Sequence, residues 1–214
     1  SRGFLVVAQE DEGQVLVLVE PNADGLVINK RAQADGSALG ELSFSGTPAA
    51  KLASGNVVTD ALAQAVADAT ALAAAELVGL SQRAFEITLD YIKTREQFDK
   101  PIGSFQVIQH RAVDLNVACE VAQAGVREVL AQMDGETDPK IRARLASRAK
   151  ARAVTAAKKI TRDAIQLHGA VGYTDEFDIA LYLNRALVLS AWLGDDAYHR
   201  RLWFEAREEE VSAQ

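Results

Sequence analysis

A change of period constrains this chain more than any other feature. Up to Gly55-Asn56, apolar residues come in short runs broken by turn residues; beyond it they recur about every 3.6 positions. Before the change, Phe4–Ala8 and Val15–Val19 are β-branched runs separated by Glu10-Asp11-Glu12-Gly13, a turn signal. Leu26–Asn29 and Leu42–Phe44 follow, each set off by Gly, Asp, Asn or Pro, so the sequence predicts four short strands. Four strands leave edges that something else must cover. The opening run, SRGFLVVAQEDEG, begins as a strand does and is too short for a leader, so the chain is expected to start in mid-fold.

After the change, Thr59 or Asp60 is expected to cap a helix running to about Thr94. Its apolar stripe is Leu62, Val66, Leu72, Leu77, Leu80, Phe85, Leu89 and Ile92. Pro101-Ile102-Gly103 breaks the chain, and Ser104 is expected to cap a second helix to about Met133. Asp138-Pro139 opens a third, because Pro suits the first helical position. That helix turns Ile141, Leu145, Ala149, Ala153, Ile160 and Ala164 to one face and stops near Gly169. Shorter helices are expected over Ile179–Trp192 and Ala197–Glu209. Long helices on short turns predict a mainly α fold: an up-down bundle over 57–214, preceded by a partial β-domain over 1–56.

The composition excludes several functions. A net charge of −7 argues against general nucleic-acid binding. No stretch approaches the roughly 20 apolar residues that a membrane span needs, so no membrane partner is expected. A single cysteine, Cys119, rules out an intramolecular disulfide and is compatible with a reducing cytoplasm. Among Val117, Ala118, Val121 and Ala122 it is expected to be a small buried side chain. His110, His168 and His199 have no ligand-like spacing, so no metal site is expected.

Three segments could carry chemistry. Arg95 through Gln106 forms a helix–turn–helix corner where a guanidinium, aromatics and free helix N–H groups coincide, a fit for an anionic ligand; an ordinary solvated turn is the alternative. In Gln166-Leu167-His168-Gly169-Ala170-Val171-Gly172, two glycines three apart let backbone approach a ligand, although Gly169 is also a simple helix stop and His168 a structural histidine. The run from Lys140 to Arg162 is basic and contains no acid. Without aromatics to stack on bases, it is expected to be a solvated face paired with acids elsewhere.

Taken together, these segments resemble the acyl-CoA dehydrogenase family. YIKTREQFDKPIGSFQVIQHRAVDL is similar to its helix–turn–helix signature, and AIQLHGAVGYTDEFDIALYLNRA to its Gly-rich one, in the same order and spacing. The resemblance implies a C-terminal four-helix bundle, preceded by the end of the middle β-domain, in a dimer of dimers with FAD as cofactor. It places Arg95 and Gln97 at the FAD phosphates and AMP end, Phe98 near the adenine and Gln106 as a polar contact. Backbone from Gln166, Leu167, His168, Gly169 and Ala170 would face the diphosphate. Asp99 departs from the family, which usually has glycine there.

The family's reaction removes a proton α to a thioester while hydride leaves the β-carbon, so it needs a carboxylate base. The two positions where members carry that glutamate are Leu193 and Ala69 here. Asp195 and Asp68 lie nearby, but each residue step swings a helical side chain by about 100°. The resemblance therefore implies a non-catalytic subunit of a heteromeric bacterial enzyme of lipid or steroid side-chain degradation, with an acyl-CoA dehydrogenase-like partner holding most of the acyl-CoA. An active fragment using another acid and a flavin-free oligomerisation module are the competing expectations. The family's N-terminal helical domain has no counterpart in the sequence, so the chain alone is expected to hold FAD weakly.

Overall fold

The computed structural model of the chain describes residues 3–174 and 176–212, which form two compact units, Ser1–Val66 and Ala67–Gln214. In the first unit, β1 (Phe4–Glu10) and β2 (Gly13–Val19) pair antiparallel with Glu10 opposite Gly13, and Gly13 takes the left-handed φ of 123° that closes the hairpin. β3 (Leu26–Ala32) and β4 (Ala38–Phe44) make a separate hairpin. The sequence predicts four strands; a fifth, β5 (Ala50–Ser54), pairs with the free edge of β2. AKLAS lacks β-branched residues, so its strand conformation comes from the ladder it joins and not from its own propensity.

From Asn56 onward the chain is built from long helices, so it is mainly α. α1 (Asn56–Thr94), α2 (Gln106–Gly135) and α3 (Pro139–His168) are followed by α4 (Ile179–Ala191) and α5 (Asp196–Ser212). α1 begins at Asn56, right after left-handed Gly55 (φ 76°), and not at Thr59 or Asp60. α2 has extended Phe105 at its N-cap with no side-chain hydrogen bond, so the expected Ser104 cap is not formed. The start of α3 is as expected: Asp138 accepts from the Lys140 amide at 2.8 Å and Pro139 fills the first turn. Gly169, at φ 67°, ends it.

The core is dominated by alanine. Ala67, Ala71, Ala74 and Leu77 of α1 meet Val126, Val129 and Met133 of α2, and Ala146, Ala149, Ala153 and Ala157 of α3. Small side chains let helix axes approach closely. Alanine also explains an error of phase: Leu72 (66% exposed) and Val66 (42%) lie outside, although the expected stripe includes them, because Ala67, Thr70, Ala71 and Ala74 hold the inward positions. The buried hydroxyls of Ser81 and Thr88 are satisfied within α1, Ser81 to the Leu77 carbonyl at 2.6 Å and Thr88 to that of Ala84 at 2.7 Å.

The expectation about membrane-length segments is corrected. By length and composition α1 contains a window long and apolar enough to cross a membrane, with mean hydropathy 1.4 and a third of it buried in the fold. From Ala69 to Gln82 its only charge is Glu76, and alanine keeps the run apolar without large side chains.

Two glycines give opposite predictions. A Cβ on Gly103 would stand 2.8 Å from the Ile92 carbonyl oxygen, a backbone atom that cannot turn away. Gly103→Ala should therefore destabilise the fold by about 1–3 kcal/mol. Gly125, inside α2, has nothing within 4 Å of such a Cβ, and Gly125→Ala should stabilise by about 0.5–1 kcal/mol. Chemical denaturation of both variants checks this; equal effects would contradict it.

Candidate functional site

The first signature segment folds as a corner between α1 and α2. The Ile102 amide donates to the Arg95 carbonyl at 2.8 Å, and two short strands, β6 (Glu96–Gln97) and β7 (Lys100–Pro101), pair across a two-residue turn. The turn residues, Phe98 and Asp99, have φ of 55° and 60°. Two-residue hairpins of this kind need positive φ at both central positions. Glycine is the unstrained choice at the second; aspartate tolerates it, so Asp99 keeps the backbone course while adding a carboxylate. Phe98 has no such tolerance, and its conformation costs about 1 kcal/mol or more.

That strain presents an aromatic ring to solvent. Phe98 is 86% exposed, its ring set edge-on to Phe105 at 6.2 Å, with Lys100 Nζ 4.3 Å above the Phe105 ring. Arg95 is exposed, and its guanidinium has no hydrogen-bonding or ion-pair partner among the described residues. Gln97 is exposed and donates to the Glu96 carbonyl at 2.8 Å. Gln106 is the exposed first residue of α2, where amides carry the positive end of the helix dipole.

The second segment divides between core and surface. Leu167 and His168 are buried, whereas Gln166, Gly169 and Ala170 are exposed. A ligand at this turn would thus meet backbone and Gln166, and not the side chains of Leu167 or His168. The His168 ring stacks on Tyr91 at 4.3 Å, and Tyr91 Oη donates to the His168 carbonyl at 3.3 Å. Nδ1 lies 2.8 Å from the Ala164 carbonyl and must donate, which leaves Nε2 as an acceptor, buried and without a partner. Burial holds the His168 pKa below the usual imidazole value, so the ring stays neutral. The two glycines do different work: Gly169 supplies positive φ in open space, while a Cβ on Gly172 would meet the Ile165 carbonyl at 2.9 Å. Asp175, in the same segment, lies outside the described residues.

Tyr91 joins the two segments. It stands one helical turn before Arg95 and packs against the residue preceding Gly169, so both expected ligand-facing stretches sit at the same end of the bundle.

Leu193, one of the two positions aligned with the family's base, lies in a well-built setting. Leu193, at φ 60°, follows α4. Lys150 Nζ, fully buried, donates to the carbonyls of Leu189 at 2.7 Å and Trp192 at 2.8 Å, capping α4. Buried His199 places Nε2 3.0 Å from the Leu193 carbonyl, so Nε2 donates and Nδ1 accepts from the Ser147 hydroxyl at 3.1 Å. The neighbouring acids are engaged: Asp195 accepts from the Tyr198 amide at 2.8 Å, and Asp68 pairs with Arg142, whose guanidinium also holds the Glu136 carbonyl. Ala69 is half-buried in α1.

The basic run is ion-paired in part, through Arg142 to Asp68, Arg148 to Glu128, Lys158 to Asp196 and Lys159 to Asp163. Lys150 is the exception, a buried cation that the expectation of a solvated face overlooked. Its spacing from Ala146, Ala153 and Ala157 places it on the inward face and could have revealed it. Burial raises the Cys119 thiol to about 11, with Glu120 and Glu86 adding to it, so it is inert at neutral pH. Among the described residues no three His, Cys, Asp or Glu side chains group as metal ligands.

A family model described as acyl-CoA dehydrogenase, C-terminal domain, matches residues 60–206. The chain belongs to the acyl-CoA dehydrogenase family. It is 39% identical over 124 residues to acyl-CoA dehydrogenase IpdE2 of Mycolicibacterium smegmatis, across 58% of this chain and 37% of that one. It is 44% identical over 101 residues to 3-sulfinopropanoyl-CoA desulfinase of Paraburkholderia xenovorans, across 47% of this chain and 25% of the relative. Among solved structures, the Tcur3481–Tcur3483 steroid ACAD superposes with a TM-score of 0.85 at 28% identity, over 99% of this chain and 56% of that one. This acyl-CoA dehydrogenase chain thus spans well under two thirds of the length of these relatives.

Lys150 gives a pH prediction. Burial lowers its pKa from the usual lysine value to about 8. Between about pH 8 and pH 10.5 the unfolded chain therefore binds a proton that the folded chain does not, and stability rises with pH by up to about 3 kcal/mol from this group. In Lys150→Met that contribution should be absent, so the difference between wild type and variant should change across this window. Denaturation curves measured from pH 7.5 to 10.5 check it; parallel profiles would show that Lys150 does not titrate there.

Proposed function

We propose that this chain is the flavin-facing, base-deficient component of a heteromeric acyl-CoA dehydrogenase acting on lipid or steroid side-chain thioesters. The observation that carries the proposal is the contrast between two sites. The corner at Arg95 and the turn at Gly169 retain what a dinucleotide needs, whereas Leu193 and Ala69 offer no carboxylate.

FAD fits the residues present. Arg95 has an uncommitted guanidinium, Phe98 a solvent-facing ring held there by a strained turn, and Gly169 an exposed left-handed backbone. A diphosphate calls for a guanidinium, helix amides and close-approaching backbone. Arg95, Gln97 and Gln106 would hold the phosphate and AMP end, Phe98 would flank the adenine, and the peptides from Gln166 to Ala170 would face the diphosphate. The cofactor, when bound, takes up the hydride leaving the substrate's β-carbon. This chain's part is to bind and orient it, while the α-proton goes to a carboxylate on a partner chain that also holds most of the acyl-CoA.

Two further observations support this reading. Asp68 and Asp195 are already bound to Arg142 and the Tyr198 amide, which disfavours an active fragment using either acid. The Tcur3481–Tcur3483 relative is named for two chains and for steroid substrates. In the same reading residues 1–56 are the end of the middle β-domain and 57–214 the C-terminal bundle.

A second reading rests on the same missing carboxylates. The relative named as a 3-sulfinopropanoyl-CoA desulfinase suggests a reaction that takes a group off the third carbon of an acyl-CoA, a step that needs no base for an α-proton.

Both readings put the cofactor at Arg95 and assign no chemistry to residue 193. In the complex purified with its partner, Arg95→Ala should lower bound flavin at least tenfold, the loss expected for a charge-assisted contact of about 1.5–3 kcal/mol. Leu193→Ala should leave flavin content and turnover within about twofold. Unchanged flavin in the first variant, or a tenfold fall in turnover in the second, would sink the proposal.

A further inference from the structure

The basic run of α3 has a part that neither the ion pairs nor the flavin reading absorbs. Between α3 and α5 lies an open cavity of about 370 Å³ lined by Arg148, Ala151, Arg152, Thr155, Arg200 and Trp203. Three of these six carry guanidiniums, and none is an acid. Two are tied down: Arg148 reaches Glu128 at 3.2 Å, and Arg200 donates to Thr155 Oγ1 at 2.7 Å while lying 3.4 Å from Asp196. Arg152 has no acid partner among the described residues and is exposed. Among the described residues, Arg148 and Arg200 are the guanidiniums of this cavity that meet an acid, and their contacts fix two of the three forks.

We propose that this cavity binds a purine nucleoside diphosphate, its phosphates on Arg152, Arg148 and Arg200 and its base along Trp203. Guanidinium forks match phosphate oxygens in pairs, and Thr155 orients one of them. An indole wall suits the flat base, an element that a bare anion or a carboxylate side chain would leave unused. The size agrees: ligand cavities run from about 300 to 1,000 Å³, and this one, at the low end, suits a mononucleotide and not a dinucleotide. The site lies on the α3–α5 face and shares no residue with the Arg95 corner, so it stands independently of the flavin proposal.

Calorimetric titration of ADP into the full chain tests it. Saturable binding at one site is expected, weakened about tenfold by Arg152→Ala and unchanged by Arg95→Ala, with inorganic phosphate and adenosine each binding at least tenfold more weakly than ADP. Arg152 is exposed on a helix surface, so its alanine variant should fold normally by circular dichroism. In Trp192→Phe the sole remaining tryptophan is Trp203, and its emission should change as ADP saturates. Absence of saturable binding would overturn the proposal, as would unchanged affinity in Arg152→Ala or unchanged Trp203 emission. Phosphate binding as tightly as ADP would reduce the cavity to an ion site and overturn the nucleotide assignment. Binding lost in Arg95→Ala but kept in Arg152→Ala would move the nucleotide to the flavin corner and overturn it as well.

Discussion

The close packing of α3 is the constraint on which the helical unit depends. Its inward positions are Ala146, Ala149, Ala153 and Ala157, and the elements on either side lie against that narrow face. A large side chain there would push helices apart, because interiors are packed too densely to absorb even a methylene without strain. Lys150 emerges from the same face and is the cost of the arrangement. Its buried ammonium is tolerated because the carbonyls at the end of α4 need donors. One side chain thereby fixes where α4 ends, and with His199 it fixes the left-handed turn at Leu193.

The same economy of groups appears at the other end of the bundle. Tyr91 and His168 stack and share a hydrogen bond, which ties the end of α1 to the end of α3 and sets the two signature segments side by side. What faces solvent from them is a guanidinium, an aromatic ring and glycine backbone, while the residues that anchor them are inside. The turn at residue 193 therefore holds its shape without a carboxylate at that position. That turn is held by two donors from buried side chains, Lys150 Nζ and His199 Nε2, and keeps a positive φ at a leucine.

Where local chemistry decides structure, the sequence was legible. Asp138-Pro139 starts a helix, Gly169 ends one and Glu10 to Gly13 turns a hairpin, each through a cap or a backbone angle that one residue type supplies. Where tertiary contacts decide, it was not. β5 exists because β2 has a free edge, and the inward face of α1 is alanine that a search for large apolar residues passes over. Lys150 was hidden in a basic run because charge at a position says nothing about which way the helix turns it. The residues expected to face a ligand were named through a resemblance to a family, and their geometry separates Gln166, Gly169 and Ala170, which are exposed, from Leu167 and His168, which are not.

The account makes this chain half of a site: it binds and orients a flavin, and another polypeptide removes the proton. Intact-mass and absorbance analysis of the native assembly, purified through a tag on this chain, tests that division most directly. The account predicts a yellow complex containing a second acyl-CoA dehydrogenase-like chain that carries the glutamate missing at Leu193 and Ala69. A colourless homo-oligomer, or a yellow assembly of this chain alone that turns over acyl-CoA, would contradict it.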